Sequence, residues 1–143
     1  LLFRPGKILH YLLFAFRREC VLQILVAEDS LFARKAIVGI LQGYGHNVFE
    51  VANGVDALNS FWKLRPDLVF MDIAMPHING LDATKVITAA EPKAKVVILT
   101  ALADTTNVLQ AVRNGAIDFI VKPFDEARLM QVVNRVQEIN TTA

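Results

Sequence analysis

At 143 residues, with 54% apolar and 20% charged side chains, the chain suits one globular α/β domain with a substantial core, and this composition argues against disorder. The net charge of +1 is uneven: Arg4, Lys7, Arg17 and Arg18 against Glu19 place +3 on residues 1–20, which leaves −2 on 21–143. That mildly acidic body lacks the basic face nucleic-acid binding needs. A single cysteine, Cys20, excludes an intrachain disulfide and fits a reducing, cytoplasmic setting.

Residues 1–20 differ in texture from the rest. Ile8 to Phe16 is apolar apart from His10, yet a bilayer span takes about 20 residues, and no small-residue cleavage site precedes Cys20. They are read as an N-terminal extension: an interfacial helix, an added docking element, or a segment not native to the domain. The domain proper, 21–143, is expected to fold and function without them.

From Val21 onward apolar runs alternate with helix-period stretches. VLQILVA (21–27) reads as a buried strand closed by Glu28 and Asp29. Ser30 caps a helix whose inner face carries Ala33, Ile37, Ile40 and Leu41, and Gly43 and Gly45 end it. NVFEVA (47–52) is a second strand. Asn53 and Gly54 open a helix to about Leu64 with Leu58, Phe61 and Trp62 inward. LVFM (68–71) is a strand without a polar residue, ending on Asp72. Pro76, Asn79 and Gly80 break it, and Ala83, Val86, Ile87 and Ala90 mark a third helix. KVVILTA (95–101) is a strand ending on Thr100. A helix from about Asp104 to Asn114 stops at Gly115. IDFIVKPF (117–124) is the fifth strand, and Leu129, Val132, Val133 and Val136 line a last helix. Strands alternating with helices predict a parallel sheet covered on both faces.

A parallel sheet brings the carboxyl ends of its strands to one edge, where open α/β folds place ligand chemistry. That edge would hold Glu28, Asp29 and Asp72 together with Thr100 and Lys122. Two carboxylates ~4 Å apart repel by about 4 kcal/mol at an effective dielectric of ~20. A hard cation such as Mg²⁺, with Mn²⁺ as an alternative, would relieve three of them. A divalent ion, a lysine and a hydroxyl together clamp a phosphoryl group, and Asp72 is then a candidate nucleophile. His10, His46 and His77 lack metal-ligand spacing and read as surface or loop residues. Met71 and Met75 read as core and loop filler, and Arg34 and Lys35 as a solvated helix face.

With AED at 27–29, MDIAMPHINGLDA at 71–83, ILTA at 98–101 and DFIVKPF at 118–124, the chain from about 22 to 139 resembles a response-regulator receiver domain of two-component signalling. The resemblance implies a flavodoxin-like, doubly wound, five-stranded parallel sheet in the order 2-1-3-4-5, which is the order the chemotaxis member of that family shows. It implies Asp72 as phosphoacceptor. It also implies Mg²⁺ held by Asp29, Asp72 and the Ala74 carbonyl, with Glu28 acting through water. Lys122 and Thr100 would hold phosphoryl oxygens, Phe119 would be an aromatic switch, and Ala74 and Leu102 would tune the phosphoryl lifetime. A cis Lys122–Pro123 bond is implied too. Glu28 stands where many members have Asp.

The leading expectation is a stand-alone receiver, not a turnover enzyme and a monomer or weak dimer. It would take its phosphoryl group from a sensor histidine kinase or phosphotransfer protein and switch binding to a downstream protein target. EDSLFARK at 28–35 is similar to chemotaxis-type single-domain regulators. A phosphorelay intermediate, or a receiver cut from a larger regulator, is the alternative. An aspartyl-phosphate phosphatase is the reading from a different class; such enzymes usually carry a second acid at the position of Ala74.

Overall fold

LVFMD and VVILT present no exposed residue in the folded chain, so a sheet containing them must be covered on both faces. The computed structural model describes residues 20–101 and 105–142. In chain order these form β1 (Gln23–Ala27), α1 (Leu31–Gly43), β2 (Asn47–Val51), α2 (Gly54–Leu64), β3 (Leu68–Asp72), α3 (Gly80–Ala90), β4 (Val96–Thr100), α4 (Thr105–Arg113), β5 (Asp118–Val121) and α5 (Glu126–Thr142). All pairings are parallel and the strand order is β2-β1-β3-β4-β5, the expected flavodoxin-like arrangement. Among the described residues no helix is long and apolar enough to cross a membrane. The expectations for residues 1–19, Leu102 and Asp104 lie outside the described residues.

Side-chain alternation divides the core in two. Ile24 and Val26, Leu68 and Phe70, Val97 and Leu99, and Ile120 face one side, where Ile37, Val38 and Leu41 of α1 and Leu129, Val132, Val133 and Val136 of α5 cover them. Leu25 and Ala27, Val69 and Met71, and Val96 and Ile98 face the other side. There Ala57 and Phe61 of α2, Ala83 and Ile87 of α3 and Ala111 of α4 close over them.

Helix starts follow side-chain capping. The Ser30 hydroxyl accepts from the Ala33 N–H, and Asn53 and Asn79 accept from the N–H groups of Asp56 and Asp82. Several expectations need correcting. Val86 and Ala90 are exposed, because the buried stripe of α3 is Gly80, Ala83, Thr84 and Ile87, and Val86 falls one position off it. Trp62 is only partly buried, with its ring edge-on to Phe61 and Arg65 over its face. The fifth strand stops at Val121, since Pro123 has no N–H to continue the ladder. His46 sits in a loop but is buried, and its Nδ1 accepts the Leu22 N–H at 3.1 Å.

Two glycines allow a close approach around Asp72. A Cβ on Gly80 would stand 1.9 Å from the Asp72 carbonyl oxygen, and one on Gly54 would stand 2.1 Å from the Ile78 carbonyl oxygen. The loop from 73 to 79 is thus wedged between the starts of α2 and α3, and the Gly80 N–H closes it on the Ile73 carbonyl at 2.9 Å. Polar contacts then tie α3 to α4. The Thr88 hydroxyl donates to the Asn114 carbonyl and the Asn114 amide to the Leu81 carbonyl, while the Thr84 hydroxyl donates within α3 to the Gly80 carbonyl.

Gly80→Ala should cost about 2 kcal/mol or more, as overpacking against backbone does, read as a lowered urea midpoint. His46 gives a pH signature. Burial lowers its pKa from 6.5, so between that lowered value and 6.5 the unfolded chain binds more protons than the folded one. The stability of the neutral ring is therefore complete above 6.5 and is lost as pH falls through that window. The stability gap between wild type and His46→Leu should narrow on acidification, as measured by urea unfolding at pH 7.5 and 5.5.

Candidate functional site

The pleat that builds one half of the core also builds the site. Glu28 and Lys122 lie just past the ends of β1 and β5, and their N–H groups still extend the ladder, donating to the carbonyls of Val51 and Thr100 at 3.1 and 2.7 Å. Glu28 therefore keeps the facing of Ile24 and Val26, Asp72 that of Leu68 and Phe70, and Lys122 that of Ile120. All three side chains meet above the α1–α5 half of the core. Lys122 Nζ donates to Glu28 Oε1, and also to Asp72 Oδ1 at 3.2 Å. The Ala74 N–H donates to Asp72 Oδ1 at 3.3 Å and the Asp29 N–H to Asp72 Oδ2 at 3.5 Å. Asp72 is thus reached by one ammonium and two backbone donors.

Glu28 is fully buried and its Oε2 has no hydrogen-bond partner. Burial pushes its carboxyl up from 4.5 to about 7, with Asp72 adding to the rise and Lys122 opposing it. An expected trio of gathered carboxylates is thus realised as a pair. Asp29 is exposed and meets Asp72 through its backbone, and among the described residues no three His, Cys, Asp or Glu side chains are grouped to hold a metal ion. The donor chemistry nonetheless suits a hard cation: every candidate ligand is oxygen, and the orphaned Glu28 oxygen is a buried acceptor.

Thr100 is buried at the end of β4, one residue beyond Leu99, the partner of Asp72 in the ladder. Phe119 pairs with Ile98 and lies half-buried against the α2–α3–α4 half of the core, while its carbonyl accepts from Arg128 at 2.7 Å. Thr100 shares that facing by alternation along β4. The Lys122–Pro123 bond is cis, as the resemblance implies. Leu102 is outside the described residues, so of the tuning pair only Ala74 is placed. Arg34 departs from the expectation of a solvated side chain. Its side chain is 14% exposed and ion-paired with Glu50, whereas Lys35 is 61% exposed. The signal was an acid on the neighbouring strand, Glu50, which only the β1–β2 pairing brings within reach.

The model for the response regulator receiver domain family matches residues 24–134. The chain belongs to this family. The receiver is 38% identical to the chemotaxis protein CheY of Thermotoga maritima over 117 residues, which is 81% of this chain and 98% of that protein. It is 44% identical to protein CcdB of Bacillus subtilis over 115 residues, 80% of this chain and 96% of that one. Among solved structures, NtrX of Brucella abortus superposes with a TM-score of 0.79 at 31% identity, covering 85% of this receiver but 28% of NtrX. The chain is thus a CheY-like receiver of two-component signalling that also resembles part of a larger regulator.

Lys122 should hold the two buried acids in place. Glu28 binds a proton more readily folded than unfolded, so its contribution to stability falls as pH rises from 4.5 through about 7. Lys122→Met leaves both carboxylates without a cation and should cost about 3 kcal/mol at pH 8. The cost should shrink at pH 6, where Glu28 takes a proton, as read by urea unfolding in EDTA.

Proposed function

We propose that the receiver accepts a phosphoryl group on Asp72 from a phosphohistidine of a sensor kinase or phosphotransfer protein, and that this changes its binding to a protein target. The observation that carries this reading is the convergence of Asp72, Lys122 and two backbone N–H groups on one edge, in a chain of the receiver family. An Asp72 oxygen attacks phosphorus, the P–N bond breaks as the O–P bond forms, and the imidazole leaves with its electron pair and takes a proton. Lys122 is placed to neutralise one phosphoryl oxygen. The backbone N–H groups of Asp29 and Ala74 hold the carboxylate in its reactive orientation.

Mg²⁺, or Mn²⁺ in its place, would be held by Asp29, Asp72 and the Ala74 carbonyl, with Glu28 acting through water. It would supply Lewis-acid stabilisation of charge on the phosphoryl oxygens. Thr100 would take a further oxygen once Asp72 is modified, and Phe119, facing the same half of the core, would repack in response.

A stand-alone receiver of the chemotaxis type is favoured by a CheY relative matched over 98% of its length. The NtrX likeness supports the second reading, a receiver within a larger regulator. Ala74 at the position where a phosphatase would carry its second acid speaks against turnover of phosphate esters, so the protein is read as a phosphoacceptor and not an enzyme. A cytoplasmic location fits the proposed kinase partner and a sequence with one cysteine.

Incubation with acetyl phosphate and Mg²⁺ should add one phosphate by intact mass, and Asp72→Asn or EDTA should abolish it. Ala74→Asn, by giving the attacking water a polar neighbour, should shorten the phosphoryl lifetime. Uptake by Asp72→Asn equal to wild type would place the phosphoacceptor elsewhere.

A further inference from the structure

We infer that Arg34 is a positioning residue for the acid edge, fixing the Glu28–Asp29 peptide so that the Asp29 N–H addresses the Asp72 carboxylate. Its consequence for phosphotransfer rests on the phosphoacceptor reading of Asp72. Arg34 lies in the first turn of α1 with its side chain mostly buried. Nη1 donates to the Glu28 carbonyl at 2.8 Å, and Nε donates to Glu50 Oε1 at 3.2 Å.

Glu50 is itself firmly placed. It lies opposite Val26 in the β1–β2 ladder, and Lys35 grips the same carboxylate oxygen at 2.8 Å. Lys35 first, and then Arg34, hold the Glu50 carboxyl below its usual range.

Both backbone groups of Glu28 are therefore occupied: its N–H by the Val51 carbonyl and its C=O by Arg34. Only the Lys122–Pro123 bond is cis among the described residues, so the Glu28–Asp29 peptide is trans and planar. In such a peptide the C=O and the following N–H point in opposite directions. Drawing the carbonyl toward α1 and β2 aims the Asp29 N–H the other way, where Asp72 Oδ2 lies 3.5 Å off. That contact is long for a hydrogen bond, so its aim decides whether it tightens when charge on the acceptor changes. A guanidinium on the carbonyl also polarises the peptide and makes the N–H a better donor. Lys35, mostly exposed, bonds Glu50 and leaves the carbonyl to Arg34.

The test uses the full chain with Arg34→Gln, Arg34→Lys and Glu50→Gln. Exchange of the Asp29 amide proton with water is followed by NMR beside those of Leu25 and Val26, and phosphorylation by acetyl phosphate with Mg²⁺ is timed. Arg34→Gln should speed Asp29 exchange and slow phosphorylation, each about 10-fold, the size of one charge-assisted hydrogen bond, while the strand amides stay unchanged. Arg34→Lys should recover part of the rate, because one ammonium lacks the fork that reaches both acceptors. Glu50→Gln should act in the same direction more weakly, and it decides the matter if Arg34→Gln does not fold. Unchanged Asp29 exchange, or exchange that quickens equally along β1, overturns the proposal. Faster Asp29 exchange with an unchanged phosphorylation rate overturns its functional half. If wild type takes up no phosphate, the phosphoacceptor reading falls while the amide measurement still decides what Arg34 does.

Discussion

One lysine makes the acid edge possible. Glu28 is sealed from solvent and Asp72 nearly so, and two carboxylates in that setting need a cation beside them. Lys122 supplies it from 94 and 50 residues away in sequence. The pairing can therefore form only once β5 has docked on β4, the last addition to the sheet in chain order. The countercharge for the edge is supplied by an edge strand of the sheet, β5. Even so, the compensation is incomplete. Glu28 keeps one orphaned oxygen and a raised pKa, which leaves a buried acceptor on the side where the family reading places a cation.

The backbone around Asp72 is held as tightly as its side chain. Gly80 brings the start of α3 against the Asp72 carbonyl, and Gly54 brings the start of α2 against the same loop. From there Thr84, Thr88 and Asn114 continue the contact by hydrogen bonds along α3 to the end of α4. Arg34 holds the neighbouring loop from the other side. Each acid is thus fixed by an element that is itself packed on the sheet, which is how a loop-borne site acquires the precision of a strand.

Much of this was written openly in the sequence. LVFMD and VVILT could only be strands covered on both faces, and Ser30, Asn53 and Asn79 carry the chemistry of helix caps. Asp72, Thr100 and Lys122 followed from being the polar residues at strand ends. What stayed hidden depends on how far a pleat continues past its nominal end. Glu28 follows the ladder and is buried, whereas Asp29, one residue on, leaves it and is exposed, and adjacency in sequence says nothing about that difference. Arg34 and His46 were misjudged for a related reason: each is buried by a partner from another element, Glu50 on β2 or the Leu22 N–H on β1. Val86 shows the limit of a periodic pattern, since an apolar residue one step off the stripe faces water.

Because Glu28, Asp72 and Lys122 share their facing with Ile24, Phe70 and Ile120, core and site are written in a single register. A one-residue insertion or deletion inside β1, β3 or β5 would exchange the side chains packed in one half of the core with those of the other and carry the charged one to the wrong half of the molecule in the same stroke. Residues added in the turns at the amino ends of the strands, such as Gly43–His46 and Glu91–Lys95, would shift neither pattern. Grafting the acid edge onto another parallel sheet would require matching strand parity before matching any side chain.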